Sequence, residues 1–111
     1  MSVCFVYITA EHATEARAIG RALVEERLAA CVNILEGRLS IYRWQGEVRE
    51  DSEAVLLVKT RDDLVPALTE RVLALHSYET PCIVAMPISG GNNAFVEWIH
   101  TETTIEIKTE T

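Results

Sequence analysis

The stretch HSYETP, residues 76–81, decides the fold because it separates a helical pattern from a strand pattern. Apolar residues upstream recur at the spacing of one face of an amphipathic helix: Leu64, Leu68, Val72 and Leu75. Downstream, residues 82–88 form an almost unbroken apolar run of strand length. Pro81 lacks a backbone N–H and disfavours helical angles in the residue before it. The helix therefore ends before Pro81, a strand starts after it, and the six residues form a loop that carries polar groups.

Working outward from this loop gives the order of the elements. Strands are predicted from β-branched and aromatic composition at residues 3–9, 30–35 continued by 39–44, 54–59 and 82–88. Helices are predicted from apolar periodicity at residues 13–28, in a segment ending at Leu75, and in a short segment that carries Phe95, Trp98 and Ile99. A weak alternation over residues 103–109 predicts a short edge strand.

Local signals sharpen the boundaries. Gln45 and Gly46 predict a hairpin turn, and Gly37 predicts a bulge or bend in the preceding strand. Thr60 followed by Asp63 has the spacing of a capping box and predicts the start of the second helix.

The order of elements is β-α-β-β-α-β with a short C-terminal helix, which predicts an α+β, ferredoxin-like fold. Its four-stranded antiparallel sheet has both main helices on one face. We expect one domain over residues 1–111, with an ordered core of about residues 2–101 and a tail at 102–111. Several strands are apolar on both faces, so the face without helices needs a cover, and this predicts self-association.

Composition excludes several classes of partner. The chain has 17 acidic and 10 basic residues and a net charge of −7, which argues against nucleic acid because phosphate binding needs clustered Lys and Arg. No apolar run approaches the ~20 residues of a membrane span. The N-terminus enters a strand without a signal-like segment, and three cysteines without paired short spacing predict free thiols. We therefore expect a cytoplasmic protein.

The loop contains a candidate metal pair, His76 and Glu79. An imidazole nitrogen and a carboxylate oxygen are suitable ligands for copper or zinc. Zinc sites use three or four protein ligands, so a site here would need a neighbouring subunit, a thiol or water. In the alternative interpretation, His76 ends the helix, where its charge suits the helix dipole, and Glu79 is solvated or paired.

Four other residues permit two interpretations each. Lys59, at the end of an apolar strand, either extends its ammonium to solvent or holds an anion. Tyr42 and Trp44 project from the same strand face, where they wall a cleft or form a core or subunit contact. Cys31 is a small apolar filler unless the loop lies beside it. The common nucleophile, metalloprotease and phosphate-loop motifs are absent from the sequence, so we predict neither an enzyme nor an organic cofactor.

Five ordered blocks, taken together, resemble the divalent-cation tolerance (CutA) family. The blocks are ALVEERLAACVNI at residues 22–34, SIYRWQG at 40–46, residues 53–60, HSYETP at 76–81 and FVEWI at 95–99. The resemblance implies a ferredoxin-like fold and a homotrimer built through long hairpins. It also implies binding of a divalent cation, copper before zinc, and a role in metal tolerance or homeostasis.

The chain departs from the family pattern at four positions. The family loop usually has Pro where this chain has Ser77, and an acid where it has Cys82. Some members have a cysteine in place of Ile8 and a second histidine in place of Leu75. Of that copper-binding set, this chain keeps His76.

Two functional hypotheses follow from the residues and the resemblance. In the first, a homotrimer binds copper or zinc through His76 and Glu79. In the second, the protein is a signalling or scaffold trimer similar to the PII regulators. Its cleft between subunits then takes a small anion or a partner protein, and the predicted cleft residues are Cys31, Tyr42, Trp44, Lys59 and Tyr78.

Overall fold

The structure is a computed structural model that describes residues 2–104. Its strands are β1 (Val3–Ala10), β2 (Cys31–Trp44), β3 (Glu47–Arg61) and β4 (Ile83–Pro87). Its helices are α1 (Ala13–Glu25), α2 (Val65–Leu75) and α3 (Asn93–Glu102), with a 3₁₀ turn (Asp62–Leu64) before α2. The strands form one antiparallel sheet in the order β2-β3-β1-β4. The predicted α+β class and antiparallel sheet are confirmed.

One face of the sheet and the helices α1 and α2 enclose the main core. Alternate strand residues such as Val6, Leu56 and Val58 are fully buried against this layer, as are Leu23 of α1 and Leu68 of α2. Burying a side chain of this size stabilises the fold by about 1.5–3 kcal/mol. Of the apolar stripe that predicted α2, Leu68 and Val72 therefore point into the core, whereas Leu64 lies in the preceding 3₁₀ turn and Leu75 is exposed.

The β2–β3 hairpin is the longest feature of the molecule. Gln45 and Gly46 have φ angles of 49° and 82°, which is the left-handed geometry of a tight hairpin turn. The strand register shifts between Leu35 and Arg38, and Gly37 lies there with a φ of 59°. The predicted turn and bulge are both confirmed. β3 begins at Glu47 rather than residue 54, because pairing with β2 extends the strand through charged residues that composition assigns to a loop.

Two predicted helix boundaries are wrong. α1 ends at Glu25 because Arg27 turns left-handed with a φ of 58°, and the amides of Leu28 and Ala29 then donate to the Leu23 carbonyl. Thr60 does not cap a helix. It lies buried in β3, where its Oγ1 donates to the Leu28 carbonyl at 2.7 Å, and α2 begins at Val65. The edge strand predicted at 103–109 lies almost wholly outside the described residues.

The second face of the sheet carries two rows of side chains on hydrogen-bonded neighbours. One row runs across the four strands through Cys31, Lys59, Phe5 and Met86, and the next through Asn33, Leu57, Tyr7 and Val84. α3 packs Ile99 against Val3 and Ala30 at one end of this face. Within residues 2–104 the helices leave the remainder uncovered, and Val84 is 49% exposed. No helix in this range has the length and apolarity to cross a membrane.

Candidate functional site

His76 ends α2 and is held by two hydrogen bonds. Its side chain is 0% exposed, its Nε2 lies 2.7 Å from the Thr9 carbonyl oxygen, and its Nδ1 accepts from the Tyr78 amide at 3.0 Å. A carbonyl can only accept and an amide N–H can only donate, so the ring is the neutral tautomer with its proton on Nε2. Both ring nitrogens are therefore already engaged.

Glu15 of α1 holds the next residue of the loop. One carboxylate oxygen accepts from the Ser77 amide at 2.9 Å and the other from the Glu11 amide at 3.0 Å. Burial alone would raise the pKa of Glu15, but the hydrogen bonds from Ser77 and Glu11 lower it overall. A proline, which the resemblance leads us to expect at this position, has no backbone N–H and could not donate this bond, so Ser77 gives the loop an anchor that a proline would not.

Tyr78 connects the loop to the hairpin. Its hydroxyl donates to Glu53 Oε2 at 2.8 Å, and its ring lies with its centroid 4.8 Å from that of His76. Burial and this hydrogen bond raise the pKa of Tyr78 well above its ordinary value, so the phenol keeps its proton. The second half of the loop therefore faces the hairpin, whereas the first half faces α1 and β1.

A cavity of about 550 Å³ separates the hairpin from the second half of the loop. Its lining includes three aromatic residues (Tyr42, Trp44 and Tyr78), three charged residues (Arg49, Glu53 and Glu79), and Thr9, Ser40, Ile41, Thr80 and Cys82. The Tyr42 hydroxyl donates to Asp51 beside it. Burial and the nearby Glu53 raise the pKa of the Cys82 thiol.

Some of the predicted site residues line this cavity, and others do not. Tyr42, Trp44, Tyr78 and Glu79 line it together. Lys59 lines another cavity, of about 490 Å³, on the second face of the sheet. There its Nζ donates to Asn33 Oδ1 and lies 3.9 Å from Cys31 Sγ. The five predicted cleft residues thus do not meet within one chain, and the predicted cleft between subunits stays a prediction.

Sequence reasoning missed two residues that organise the site, Glu15 and Glu53. In the sequence, Glu15 is one of the charged residues on the polar side of the first predicted helix, and Glu53 is the first residue of the block at 53–60. Their roles depend on contacts with residues 62 and 25 positions away along the chain. The sequence contains no local signal for contacts of that range.

One chain offers an incomplete ligand set for a metal ion. The cavity is lined by two carboxylates and one thiol, those of Glu53, Glu79 and Cys82, and Glu53 already accepts the hydrogen bond from Tyr78. Among residues 2–104 no group of three or more His, Cys, Asp or Glu is arranged to hold a metal ion. The predicted pair of His76 and Glu79 stays a prediction, and a metal at His76 would have to displace one of its two hydrogen bonds.

Comparisons with known proteins agree with one another. The family described as "CutA1 divalent ion tolerance protein" matches residues 4–102. A divalent-cation tolerance protein CutA from Thermus thermophilus is 57% identical over 88% of this chain and 95% of its own length. A solved structure titled a periplasmic divalent cation tolerance protein CutA from Archaeoglobus fulgidus is 40% identical, with a TM-score of 0.89 over 92% of this chain and 99% of its own.

The predicted cytoplasmic location is wrong as an exclusive assignment. The Archaeoglobus protein is named periplasmic, and a relative from Arabidopsis thaliana, 43% identical over 88% of this chain, is named chloroplastic. The chain spans about half of that relative's length, 54%. A short sequence that opens on a strand therefore does not determine where such a protein resides.

Proposed function

We propose, because the chain belongs to the CutA1 divalent ion tolerance protein family, that it binds copper or zinc as a homotrimer and so contributes to metal tolerance. The family is named for tolerance to an ion and not for a reaction. The strand order β2-β3-β1-β4 supports a ferredoxin-like topology for the subunit.

The uncovered apolar surface supports assembly. Besides the second face of the sheet, the distal hairpin exposes Leu39 and Val48, which are 69% and 63% exposed. These two residues lie on one face of the hairpin. Val48 pairs with Arg43, and Leu39 lies four residues before Arg43 on β2, so Leu39 and Arg43 project from the same face. Removing apolar area from water stabilises an assembly by about 25 cal/mol per Å². Association with other copies of the chain would therefore cover this surface favourably.

Sedimentation tests the assembly independently of metal. We expect wild type to sediment as a trimer at micromolar concentration and Leu39→Asp with Val48→Asp to shift it toward monomer. Leu73→Asp is the matched control, because Leu73 is a half-exposed residue on α2. A monomeric wild type would contradict the homotrimer.

The observation that carries the metal proposal is that Glu79 and Cys82 open onto one cavity. A carboxylate and a thiol suit zinc or copper, but one chain supplies too few ligands for a closed site. We therefore propose that neighbouring chains complete the site and that Glu79, not His76, is the ligand of the predicted pair. His76 positions the loop through its bonds to Thr9 and Tyr78.

Calorimetric titration of the reduced, metal-free trimer with copper or zinc salts tests this proposal. We expect Glu79→Gln and Cys82→Ser each to weaken binding by about tenfold or more, since each removes a direct ligand. Glu97→Gln, an exposed carboxylate change on α3, is the control and should bind like wild type. Unchanged affinity in both loop variants would contradict the proposed site.

A further inference from the structure

The cavity between hairpin and loop has aromatic walls from two separate elements. Tyr42 and Trp44 are two residues apart on β2 and project from the same strand face, and Tyr78 approaches from the loop. The faces of aromatic rings carry negative potential and attract a cation placed above them. Both tyrosine hydroxyls donate to carboxylates, Tyr42 to Asp51 and Tyr78 to Glu53, which fixes the direction of their protons.

The charges around the cavity favour the same kind of ligand. Its described lining contains two carboxylates, Glu53 and Glu79, and one guanidinium, Arg49, so their formal charges sum to −1. Asp51, behind Tyr42, adds another negative charge. Arg49 is itself 3.7 Å from Glu47, which partly offsets its charge. An anion would therefore meet more repulsion than attraction here.

We propose that this cavity binds a small organic ammonium ion, with the aromatic rings of Tyr42, Trp44 and Tyr78 around its alkyl groups and the carboxylates of Glu53 and Glu79 balancing its charge. The cavity's ~550 Å³ is within the range of small-molecule sites. A bare metal ion needs several close oxygen, nitrogen or sulfur ligands, whereas an alkylammonium ion has a diffuse charge and an apolar surface. The aromatic walls suit the second kind of cation and contribute no metal ligand.

This inference does not depend on metal binding, and the two tryptophans allow a direct test. Trp98, on α3, does not line the cavity, so Trp98→Phe leaves Trp44 as the reporter of cavity occupancy. The protein with this change is titrated with tetramethylammonium chloride against sodium chloride at equal ionic strength. tert-Butanol and pivalate serve as the neutral and anionic probes of similar branched shape.

We expect saturable quenching or enhancement of Trp44 fluorescence by tetramethylammonium, with a Kd on the order of 1 mM, and weaker or no response to the other two probes. Tyr42→Leu should weaken binding about fivefold, since one aromatic wall is lost while bulk is kept. Phe95→Leu, which changes an aromatic side chain outside the cavity, should leave binding unchanged.

Four outcomes would overturn the proposal. Equal binding of tert-butanol would show that the cavity binds apolar groups without regard to charge. Stronger binding of pivalate would show that the cavity prefers an anion. Absence of saturable binding by any probe would show that the cavity does not bind small ligands of this shape. If Tyr42→Leu lowered the sedimentation coefficient and lost binding together, Tyr42 would be a subunit contact and not part of a ligand site.

Discussion

The two halves of the loop at residues 76–81 differ in almost every physical respect. The His76 ring is buried and bonded to β1, the Ser77 amide is bonded to Glu15 of α1, and the polar atoms of both are thus paired within the chain. Tyr78 and Glu79 face a cavity that is open to a ligand. The histidine, which has the most suggestive chemistry in the sequence, is the residue whose bonding capacity is already used. A residue type thus indicates what a side chain can do, whereas its neighbours determine whether that capacity is free.

The largest effect that tests this contrast is expected from His76→Ala. The change removes a buried ring and leaves the Thr9 carbonyl and the Tyr78 amide without their partner. We expect the free energy of unfolding to fall by about 2–4 kcal/mol. Urea denaturation at one fixed protein concentration measures it, with His100→Ala as the control. A loss below ~0.5 kcal/mol would mean that His76 is not structural.

The next effect is expected from Glu15→Gln, with a characteristic pH dependence. At pH 7 the variant should lose about 1–2 kcal/mol, because the carboxylate accepts two backbone amides. The pKa of Glu15 is lowered from its ordinary value of 4.5, so its contribution is present above that pH and is lost as pH falls through the folded-state pKa. Unfolding of both proteins at pH 7 and pH 3 checks this. A difference that stays constant with pH would contradict the role of the charge.

Tyr78→Phe should have a smaller effect, about 1 kcal/mol, since it removes one hydrogen bond to Glu53 and keeps the ring. The raised pKa of Tyr78 adds a pH signature. The contribution is fully present below the ordinary value of 10 and would be lost only as pH rises through the higher folded-state pKa. A double-mutant cycle with Glu53→Gln should give a coupling energy of comparable size. Strict additivity would show that the hydroxyl and Glu53 do not interact in solution.

The smallest effect on stability is expected from Glu79→Gln. This carboxylate lines the cavity, and among the described residues no hydrogen bond or salt bridge from its side chain holds it in the fold. We expect unfolding to change by less than ~0.5 kcal/mol, as for other surface substitutions. A loss of 2 kcal/mol or more, by the same urea measurement, would place Glu79 in the structural half of the loop.

The sequence was sufficient for the features that local physics controls. The apolar stripe of α2, the Gln45–Gly46 turn and the bulge at Gly37 all follow from short-range periodicity or backbone preference, and all are present. Thr60 was misplaced because a capping box looks the same whether the threonine ends a buried strand or begins a helix. β3 was predicted too short because pairing with β2, and not composition, carries the strand through its charged residues.

The site was predictable only in part, for the same reason. Tyr42 and Trp44 were placed on one strand face by the alternation of the strand, and that placement holds. The contact of Glu53 with Tyr78, and the separation of Lys59 from the aromatic residues, depend on how the hairpin passes the loop. That arrangement is a tertiary property, which no residue spacing in the sequence encodes.

The proposed separation between a structural half and a metal-binding half of the loop is tested most directly by one paired measurement. Copper is titrated calorimetrically into metal-free His76→Gln and Glu79→Gln, each well below its unfolding midpoint, with the free energy of unfolding determined on the same samples. The account predicts that His76→Gln loses stability and keeps its copper affinity, whereas Glu79→Gln keeps its stability and binds copper about tenfold or more weakly. A His76→Gln protein that stays stable and no longer binds copper, beside a Glu79→Gln protein that binds like wild type, would contradict it.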